Sequence, residues 1–467
     1  MANIKFGTDG FRGIIADTFT FENVELIVKA IVKYVYKTKD TKKILIGYDP
    51  RFMADKFAQF AANIFSKYGL EPIISDKILP TPVLAFNAKH LNANAVMFTA
   101  SHNPYEYLGL KFIPSYAGPA TNAITDTLMK NISDIEKKPQ ILDKFLVNSP
   151  KRIVKKDFSV DYFEHLSKII DIKKIKDAKI NIVYDSHYSA GLNHFDKFLN
   201  MNKIKFTNLC EEFDPTFANS LPEPKLPYIK DLADYVEIHP KSVGFSNDGD
   251  ADRFGVINEN GEQVSANEII CILSKHLAKN KNLKGDIAVT VGASSCHEIM
   301  AKKLGKKLKI TPVGFKYLGD AMRNYEIMIA GEESGGLSIL GHIPEKDGIL
   351  ANLLILEAMA YETKSLVELQ QALRKDLGCS FFNTRIDKKL SSQKQLKSAL
   401  EKFQNIKKVL DLKIKKSLKI DGIKLFLEDN SWILVRASGT EPLLRIYIES
   451  QNEEKLEQIK VFLQELI

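Results

Sequence analysis

The sequence predicts an α/β protein with several parallel sheets and a small α+β domain at the C-terminal end. The chain has 467 residues, of which 45% are hydrophobic and 27% charged. This is enough for roughly three domains of about 150 residues, each with a buried core. In the first three quarters, short apolar strands recur, each ending in a small polar loop and followed by a helical pattern. The last quarter instead carries consecutive strand-like runs joined by short turns.

Five predicted strands end in polar loops. They are AVMFTA (95–100) before SHNP, NIVYD (181–185) before SHYSAG, VGFS (243–246) before NDGDAD, IAVTV (287–291) before GASS, and IMIA (327–330) before GEESGG. In open α/β sheets, ligands bind beyond the carboxyl ends of the strands. These loops are therefore the predicted positions of functional residues.

The C-terminal part is predicted as a small unit of antiparallel strands. GIKLFLE (422–428) and WILVRAS (432–438) are joined by the turn DNS, and LLRIYIES (443–450) precedes a final amphipathic helix. The loop RASGTEP between the last two strands is its predicted working part. Domain boundaries are expected at the charged connectors of 137–157, after 256–258, and within 377–385.

The composition excludes several classes of protein. No run approaches the roughly 18 apolar residues that span a membrane, and MANIKFGTDG lacks the regions of a secretory signal, so a cytoplasmic protein without a membrane partner is expected. The formal net charge is +8, but no basic block interleaved with aromatics predicts nucleic-acid binding. The cysteines are too dispersed in sequence for a CxxC zinc pair and are expected to be reduced thiols: Cys210, Cys271, Cys296 and Cys379.

The first candidate loop is TASHNP, in which Ser101 follows a buried strand. A serine in a constrained turn can be a nucleophile if another group activates it. His102 is not expected to be that group, because neighbouring residues leaving a strand point to opposite sides. The alternative is a simple turn, since Asn103 before Pro104 favours one.

The second candidate loop is DGDADR, which has aspartates at alternate positions, 248, 250 and 252. In an extended loop this spacing places three carboxylates on one side, where their repulsion favours a bound cation such as Mg²⁺. An EF-hand is rejected because its required glycine is Arg253 here and strands flank the loop. The aspartate motif of the haloacid-dehalogenase phosphatases is a poor match. A solvated cluster of charges is the remaining alternative.

Two further loops carry groups suited to a sugar phosphate. In GEESGG, Glu332 and Ser334 could bind sugar hydroxyls, while the glycines let a ligand approach the backbone. The alternative is a helix N-terminus of the same composition. In RASGTEP, hydroxyls and amides around Gly439, flanked by Arg436 and Arg445, predict a phosphate-binding loop. The alternative there is an ordinary hairpin turn.

Taken together and in order, these loops resemble the motifs of the α-D-phosphohexomutase superfamily, of the phosphoglucomutase/phosphomannomutase type. The matching motifs are FGTDGFRG (6–13), TASHNP (99–104), DGDADR (248–253), GEESGG (331–336) and RASGTEP (436–442). The resemblance implies three related α/β domains with mixed sheets and a smaller C-terminal α+β domain around a central cleft. With the boundaries above, these domains are expected at 1–150, 151–256, 257–377 and 378–467.

The resemblance also implies roles for the matching residues. The implied ligands of one Mg²⁺ are Ser101, which matches the phosphoserine, and the three aspartates Asp248, Asp250 and Asp252. The implied substrate-binding residues are Arg253, Gly314, Lys316, Glu332, Ser334, Arg436, Ser438, Gly439, Thr440 and Arg445. Arg12 and Lys111 match basic residues near the phosphoserine. The candidates for the general acid or base are His102, Lys111 and Lys346.

The implied reaction moves a phosphate between the 1- and 6-positions of a hexose through phospho-Ser101 and a hexose 1,6-bisphosphate, which is also the expected activator. Hexose phosphates are the expected partners. Phosphoserine carries about −1.5 to −2 charges, so the aspartates would repel it without a cation between them. Asp248 follows Ser101 by 147 positions, and the site is therefore expected at a domain interface.

The sugar loop guides the choice of hexose. GEESGG resembles the GEES form of glucose-type enzymes more than the GEMSGH of bispecific mannose/glucose mutases or the GEQSGH of glucosamine-phosphate mutases. Glucose phosphate is therefore expected, with mannose phosphate as a second substrate and phosphoglucosamine mutase as the alternative. Gly336 replaces the histidine of those loops, and His342 is a candidate to supply the ring.

Two other functional classes are weighed against a mutase. A Mg²⁺-dependent sugar phosphatase would keep the nucleophile and the metal but would not need the RASGTEP loop. A non-catalytic sugar-phosphate binder would keep that loop but would not need an activated serine.

Overall fold

The computed structural model describes residues 4–7, 9–437 and 443–466 and arranges them around four β-sheets. The strands of the first sheet are β1 (Phe6–Gly7), β2 (Gly10–Ile14), β3 (Lys43–Tyr48), β4 (Glu71–Ser75), β5 (Asn94–Phe98), β6 (Tyr107–Ile113) and β7 (Val154–Lys156). Its helices are α1 (Phe21–Thr38), α2 (Ala54–Lys67), α3 (Thr81–His90) and α4 (Asn122–Lys137), followed by a 3₁₀ segment, Pro139–Phe145. Because β7 pairs with β4, this sheet extends past the boundary expected at residue 150.

The second and third sheets each have four strands. The second domain contains α5 (Ser159–Ile169), α6 (Ile172–Ala178), β8 (Asn181–Asp185), α7 (Phe195–Met201), β9 (Phe206–Asn208), a 3₁₀ segment (Phe217–Asn219), α8 (Lys230–Ile238), β10 (Ser242–Asn247) and β11 (Phe254–Ile257). The third contains α9 (Ala266–Lys279), β12 (Asp286–Thr290), α10 (Cys296–Lys303), β13 (Leu308–Thr311), α11 (Phe315–Asn324), β14 (Ile327–Gly331), β15 (Leu337–Ile339), α12 (Gly348–Glu362) and α13 (Leu366–Leu377).

The C-terminal domain is built on an antiparallel sheet. Its elements are β16 (Phe382–Lys389), α14 (Gln393–Asn405), β17 (Lys408–Val409), β18 (Leu412–Leu418), β19 (Ile423–Leu427), β20 (Trp432–Ala437), β21 (Leu443–Ser450) and α15 (Glu453–Leu466). The strand order is β16-β21-β20-β19-β18-β17, with every adjacent pair antiparallel. The strands predicted at 422–428, 432–438 and 443–450 are confirmed over the described residues as β19, β20 and β21, and the final helix is confirmed as α15.

The first three sheets share one core arrangement, in the orders β4-β3-β5-β6, β9-β8-β10-β11 and β13-β12-β14-β15. In each, three strands are parallel and the fourth is antiparallel to its neighbour. The hairpins into the antiparallel strands carry SHNP, DGDADR and GEESGG, so these loops occupy equivalent positions. The predicted fold class, three α/β domains with mixed sheets and a smaller C-terminal domain, is confirmed.

One detail of the predicted elements is wrong. The strands at 95–100 and 327–330 were expected to lead into helices, but each leads into an antiparallel strand, β6 or β15. The residues after these loops form short runs that are almost wholly buried. Such a run satisfies its backbone hydrogen bonds by pairing with the free edge of the preceding strand.

Packing joins the first three domains through one apolar cluster that runs from Leu45 in β3 to Leu373 in α13. Within it, α12 is buried along residues 348–360, and its N-cap Asp347 accepts a hydrogen bond from Leu350 N at 2.8 Å. Although α12 is strongly apolar, no described helix is both long enough and apolar enough to cross a bilayer. The C-terminal domain has its own core and meets the third domain through a smaller cluster around Trp432.

A buried histidine in the second domain makes stability depend on pH. Burial lowers the pKa of His194 from 6.5 to about 4; its ring contacts Ser159 Oγ at 3.1 Å and Leu192 O at 3.2 Å. Below pH 6.5 His194 is protonated in the unfolded chain, but in the folded protein it is protonated only near pH 4. The free energy of unfolding therefore decreases as the pH falls from 6.5 to 4. At about 1.4 kcal/mol per pH unit, His194→Gln should reduce the loss between pH 7.5 and 5 by about 2 kcal/mol.

The measurement is the free energy of urea unfolding at the two pH values. The exposed His239 provides a matched control, and His239→Gln should keep the wild-type pH dependence. If His194→Gln lost as much stability as wild type on acidification, burial of this ring would not be the cause.

Candidate active site

Ser101 lies in the hairpin between β5 and β6 and is 1% exposed. Its backbone is left-handed, with φ of 54°, and its amide donates to Thr99 Oγ1 at 2.8 Å. Its hydroxyl donates to Asp248 Oδ2 at 2.8 Å. The first and second domains therefore meet at the hydroxyl of this serine, as expected from the sequence separation.

The hairpin is held in place by Arg51, a residue that sequence reasoning missed. Its buried guanidinium donates to the carbonyl oxygens of four hairpin residues, at 2.7 to 2.9 Å: Ser101, Asn103, Pro104 and Tyr107. It also bonds Asp49 Oδ2 at 3.2 Å and lies 5.0 Å from the ring centre of Phe217 in the second domain. A planar fork with five donors suits several carbonyls at once, so Arg51 fixes the conformation of the serine loop.

Replacing Arg51 by lysine should therefore displace the serine without removing it. A single ammonium cannot reach all four carbonyls, and unsatisfied buried groups cost about 2–4 kcal/mol of stability. We expect kcat for the phosphate transfer that the sequence resemblance implies to fall by about 10- to 100-fold, because small displacements of a reacting group have effects of that size, with a much smaller change in KM. Arg152→Lys, at an exposed position, is the control; an unchanged kcat in Arg51→Lys would contradict this role.

The three aspartates lie in the hairpin between β10 and β11 and are all fully buried. Selected carboxylate oxygens of Asp248, Asp250 and Asp252 lie within 4.8 Å of one another, so the alternate spacing does place them on one side. Gly249 is required between them because a Cβ there would lie 2.4 Å from Ser101 O. Thr81 of α3 donates to Asp250 Oδ2 at 2.5 Å and to Asp250 O from its amide at 2.9 Å.

The aspartates have the properties of a cation site. Burial, and then the charges of Asp252 and Asp250, raise the pKa of Asp248 well above its usual range. Among the described residues, Asp250 Oδ1 and Asp252 Oδ1 have no hydrogen-bond partner. Buried carboxylate oxygens without donors are costly, and hard divalent cations bind such oxygens. The donor set therefore fits Mg²⁺, as the sequence predicts.

Two lysines offset part of this negative charge. Lys111 Nζ lies 2.7 Å from Asp250, 2.9 Å from Asp252 and 2.8 Å from Asp9. Lys346 Nζ lies 3.1 Å from Asp252. Burial alone would lower the pKa of both lysines, but the carboxylates raise them well above the usual value. Both are therefore cations at neutral pH.

Two acids beside these lysines were also missed by sequence reasoning. Burial alone would raise the pKa of Asp9, but Lys111 and Lys346 hold it well below its usual range. Burial raises the pKa of Glu345 to about 8, and its carboxylate lies 3.6 Å from Lys346 Nζ. Asp9 lies within the FGTDGFRG motif, which could have identified it, and Glu345 directly precedes Lys346 in sequence.

The expectation that His102 points away from Ser101 is wrong. His102 Nδ1 lies 3.3 Å from Ser101 Oγ, because the left-handed backbone of Ser101 breaks the alternation of a strand. The charge of Arg253, followed by burial, holds the pKa of His102 well below its usual value, so its ring is neutral at neutral pH. Arg12 Nη1 donates to Asn103 Oδ1 at 2.5 Å and so lies beside the serine loop, as expected.

The sugar loop GEESGG follows β14. It contacts the end of the DGDADR loop (248–253), here called the metal loop, since Phe254 N donates to Gly335 O at 2.9 Å. Glu332 is buried, which raises the pKa of its carboxyl to about 7, whereas Ser334 is exposed. A Cβ at Gly336 would lie 2.4 Å from Lys346 Cδ. Glycine is therefore needed at 336 so that Lys346 can cross the loop toward the aspartates.

Three other residues of the third domain that the sequence singles out make no hydrogen bond or ion pair with the three aspartates among the described residues: Gly314, Lys316 and His342. Gly314, with φ of 122°, is the N-cap of α11. Lys316 Nζ donates to Asn122 Oδ1 of the first domain at 2.7 Å; within the described part of the chain it makes no ion pair with the aspartates. His342 contacts His165 and Asp347, each at 2.9 Å, through its two ring nitrogens. It is thus occupied elsewhere and does not supply the histidine that Gly336 replaces.

The C-terminal domain brings two predicted arginines together. Arg436 on β20 and Arg445 on β21 are directly paired across the strands. Arg436 also bonds Asp421 at 2.7 Å, while the Nε atoms of both arginines lack a partner among the described residues. Like charges directly opposite are unfavourable unless an anion joins them. The predicted loop residues Ser438, Gly439 and Thr440 lie outside the described residues.

The sequence matches four family models, one for each domain. They are described as phosphoglucomutase/phosphomannomutase alpha/beta/alpha domain I (residues 3–139), domain II (160–261), domain III (265–377) and the C-terminal domain (386–466). Together they follow the order of the four sheets.

Whole-chain relatives agree with these models. The phosphoglucosamine/phosphogalactosamine mutase of Sulfurisphaera tokodaii is 30% identical, over 96% of this chain and 95% of that one. The phosphoglucomutase of Komagataeibacter xylinus is 27% identical, over 96% and 87%. The crystal structure of a "putative phosphomannomutase" from Thermus thermophilus matches with a TM-score of 0.87 and 28% identity, over 100% and 99%. The chain therefore belongs to the phosphoglucomutase/phosphomannomutase family of the α-D-phosphohexomutase superfamily, and it is a phosphohexomutase, an intramolecular phosphotransferase.

Proposed function

We propose that the enzyme interconverts glucose 1-phosphate and glucose 6-phosphate, with mannose phosphates as second substrates, through phosphorylated Ser101 and a hexose 1,6-bisphosphate. The observation that carries the proposal is the 2.8 Å contact between Ser101 Oγ and Asp248 within a buried cluster of carboxylates. A hydroxyl held at a cation site suits a group that alternates between a free alcohol and its phosphate ester.

Ser101, Asp248, Asp250 and Asp252 would hold Mg²⁺. When bound, the ion would neutralise charge on the transferring phosphoryl group. The basic residues around the ion would also stabilise this negative charge. Lys111 and Lys346 orient the aspartates and add positive charge, while Arg12 and Arg253 flank the serine loop and the metal loop. Phosphoryl transfer depends mainly on such positioning and charge stabilisation.

His102 is our candidate for the proton acceptor. Of the three residues considered, its ring lies against Ser101 Oγ, at 3.3 Å, whereas Lys111 and Lys346 are bound to carboxylates. In an in-line transfer the sugar hydroxyl attacks phosphorus from the side opposite Ser101 Oγ, so a ring beside Oγ serves the serine itself. His102 would therefore take the proton of Ser101 Oγ when the serine attacks the bisphosphate, and would return it to that oxygen when the serine is the leaving group.

The bisphosphate must turn over between the two transfers, so a second phosphate site is needed. Arg436 and Arg445, paired across the strands, would bind the phosphate that is not reacting, with Ser438, Gly439 and Thr440 completing the loop. Added hexose 1,6-bisphosphate would act as an activator by phosphorylating Ser101. Closure of the C-terminal domain would exclude water and limit hydrolysis.

The sugar itself would be held by the third domain. Glu332, a buried carboxyl whose pKa is about 7, would bind sugar hydroxyls together with Ser334, and Gly314 and Lys316 would form a further substrate loop. The preference for glucose rests on GEESGG. Its glycine at position 336 accommodates Lys346, where the loops of the mannose/glucose and glucosamine-phosphate mutases close with histidine.

A glucosamine phosphate substrate is the alternative, and some of the relatives support it, whereas others of similar identity are a phosphoglucomutase and a phosphoglucomutase/phosphomannomutase. Several full-length relatives at 27 to 30% identity are phosphoglucosamine mutases, including those of Finegoldia magna and Ruminiclostridium cellulolyticum. A single loop determines our preference for glucose, whereas these relatives resemble the chain over nearly its whole length.

A coupled assay separates these substrates. With Mg²⁺ and trace hexose 1,6-bisphosphate, we expect kcat/KM for glucose 1-phosphate to exceed that for glucosamine 1-phosphate by at least about tenfold, about 1.4 kcal/mol. Mannose 1-phosphate should lie between them, and EDTA should remove all three activities. A higher kcat/KM for glucosamine 1-phosphate, or equal values for all three, would overturn the proposed specificity.

A further inference from the structure

A second cluster of metal-ligating side chains lies in the third domain, outside the residues of the candidate active site. Cys271 is in α9, and Cys296 and His297 begin α10. Cys271 Sγ lies 3.4 Å from Cys296 Sγ and 3.3 Å from His297 Nδ1, and three donor atoms of the cluster lie within 4.8 Å of one another. All three side chains are buried, with exposures of 0%, 3% and 0%. Packing of two helices thus joins residues that are far apart in sequence.

The imidazole of His297 is oriented to act as a ligand. Its Nε2 lies 3.0 Å from Asn267 Oδ1, and the same oxygen accepts a hydrogen bond from Ser294 N at 3.1 Å. Because that oxygen is an acceptor, Nε2 carries the proton and the lone pair of Nδ1 faces the sulfurs. Metal-binding histidines are commonly oriented by such a bond from the other ring nitrogen.

The distances fit a small thiophilic ion. Ligands about 2.3 Å (sulfur) and 2.1 Å (nitrogen) from a tetrahedral centre lie about 3.8 Å (sulfur to sulfur) and about 3.6 Å (sulfur to nitrogen) apart. The observed separations of 3.4 and 3.3 Å are within a few tenths of an ångström of these values. A disulfide would require the sulfurs to approach to about 2.05 Å, which is a much larger movement.

The charge balance selects the kind of ion. Two thiolates and a neutral imidazole cancel the charge of a divalent cation, so the complex can be buried without a net charge. Cys296 is the first residue of α10, at the positive end of the helix dipole. We propose that Cys271, Cys296 and His297 form a binding site for one Zn²⁺, the thiol protons of both cysteines being released to solvent on binding. This proposal is independent of the reaction at Ser101.

The site would stabilise the contact between the third and C-terminal domains. The residues between β12 and α10 lead directly into Cys296, and the C-terminal domain binds three of them. Lys424 Nζ donates to Val291 O at 2.9 Å and Ala293 O at 3.1 Å, and Ser295 N donates to Glu449 Oε1 at 2.9 Å. An ion that joins α10 to α9 would hold this loop in place from inside the third domain.

The first test uses the wild-type protein alone. After purification without chelators and desalting, we expect about one zinc per chain by mass spectrometry, and Co²⁺ loaded in its place should give sulfur-to-cobalt charge-transfer absorption in the near ultraviolet. The aspartate site has only oxygen ligands, so it cannot give this band. Protein that retains no zinc and shows no band with added Co²⁺ would overturn the proposal.

Single substitutions then locate the site. Cys271→Ser and Cys296→Ser should each lose the bound zinc and the cobalt band, whereas Cys210→Ser, a buried cysteine outside the cluster, should retain both. With Mg²⁺ kept in excess, a zinc-selective chelator should lower the Tm of wild type and of Cys210→Ser but not that of Cys296→Ser. Zinc binding that is unchanged in Cys271→Ser and Cys296→Ser would place the ion elsewhere and contradict the assignment.

A thiol titration separates zinc from a disulfide. After denaturation with a chelator and without reductant, wild type should give all four thiols. Recovery of only two thiols would show that Cys271 and Cys296 are oxidised to a disulfide, and the zinc site would be excluded.

Discussion

Replacing Ser101 by alanine should reduce kcat/KM for the mutase reaction by at least about 10³-fold, because the covalent route is lost with the nucleophile. The hydroxyl is buried and points at Asp248, 2.8 Å away, and no other serine is placed at the aspartate cluster within the described ranges. The measurement is the coupled assay with saturating hexose 1,6-bisphosphate, so that incomplete phosphorylation does not limit the rate.

The variant should fold normally, since alanine removes one oxygen and leaves the backbone and the Arg51 contacts in place. Ser167→Ala is a suitable control, because among the described residues the Ser167 hydroxyl bonds only within its own helix, to Phe163 O at 2.8 Å. Ser101→Ala with activity near that of wild type and of this control would show that phosphate does not pass through Ser101.

Replacing Asp248 by asparagine should lower the activity measured with Mg²⁺ but raise the stability of the metal-free protein. The variant keeps an acceptor for Arg253 N, which bonds Asp248 Oδ1 at 3.0 Å, but it removes one of three buried like charges. In EDTA we therefore expect a higher Tm than for wild type. With Mg²⁺, kcat/KM should be at least about 10²-fold below that of wild type, because a charge-stabilising group is lost.

Thermal unfolding with and without Mg²⁺ checks this directly. Wild type should gain Tm on addition of the ion, since a ligand that binds the folded state stabilises it, and Asp248→Asn should gain much less. Asp234→Asn, at an exposed position of α8, should behave like wild type. If Asp248→Asn gained as much Tm from Mg²⁺ as wild type, Asp248 would not be a ligand.

The local part of this site could be predicted from the sequence. The alternate spacing of the aspartates predicts that they lie on one side of their loop, and three of the six strands of the C-terminal sheet are predicted from their apolar runs, at 422–428, 432–438 and 443–450. The hairpin position of the loops was missed for Ser101 and Glu332, because β6 and β15 pair with strands whose free edges are visible only once the sheets are assembled.

The long-range part could not be predicted in the same way. Thr81 and Arg51 lie in segments with no motif of their own. Thr81 meets Asp250 only through the packing of the first domain against the second, and Arg51 meets the serine hairpin through the folding of the first domain itself. The same is true of Cys271 and Cys296, which are 25 positions apart and meet because α9 packs on α10. The direction of the His102 side chain could not be predicted, because it depends on the left-handed backbone of Ser101. A left-handed residue is usually signalled by glycine or asparagine, and this position is a serine.

The most direct test of the account is to locate the transferred phosphate. Wild-type enzyme incubated with Mg²⁺ and isotopically labelled glucose 1,6-bisphosphate should carry label on Ser101, found by mass spectrometry of the peptide that contains TASHNP, and the label should pass to added glucose 1-phosphate. A fully active enzyme that carries no label on Ser101, or carries it on another residue, would contradict the account.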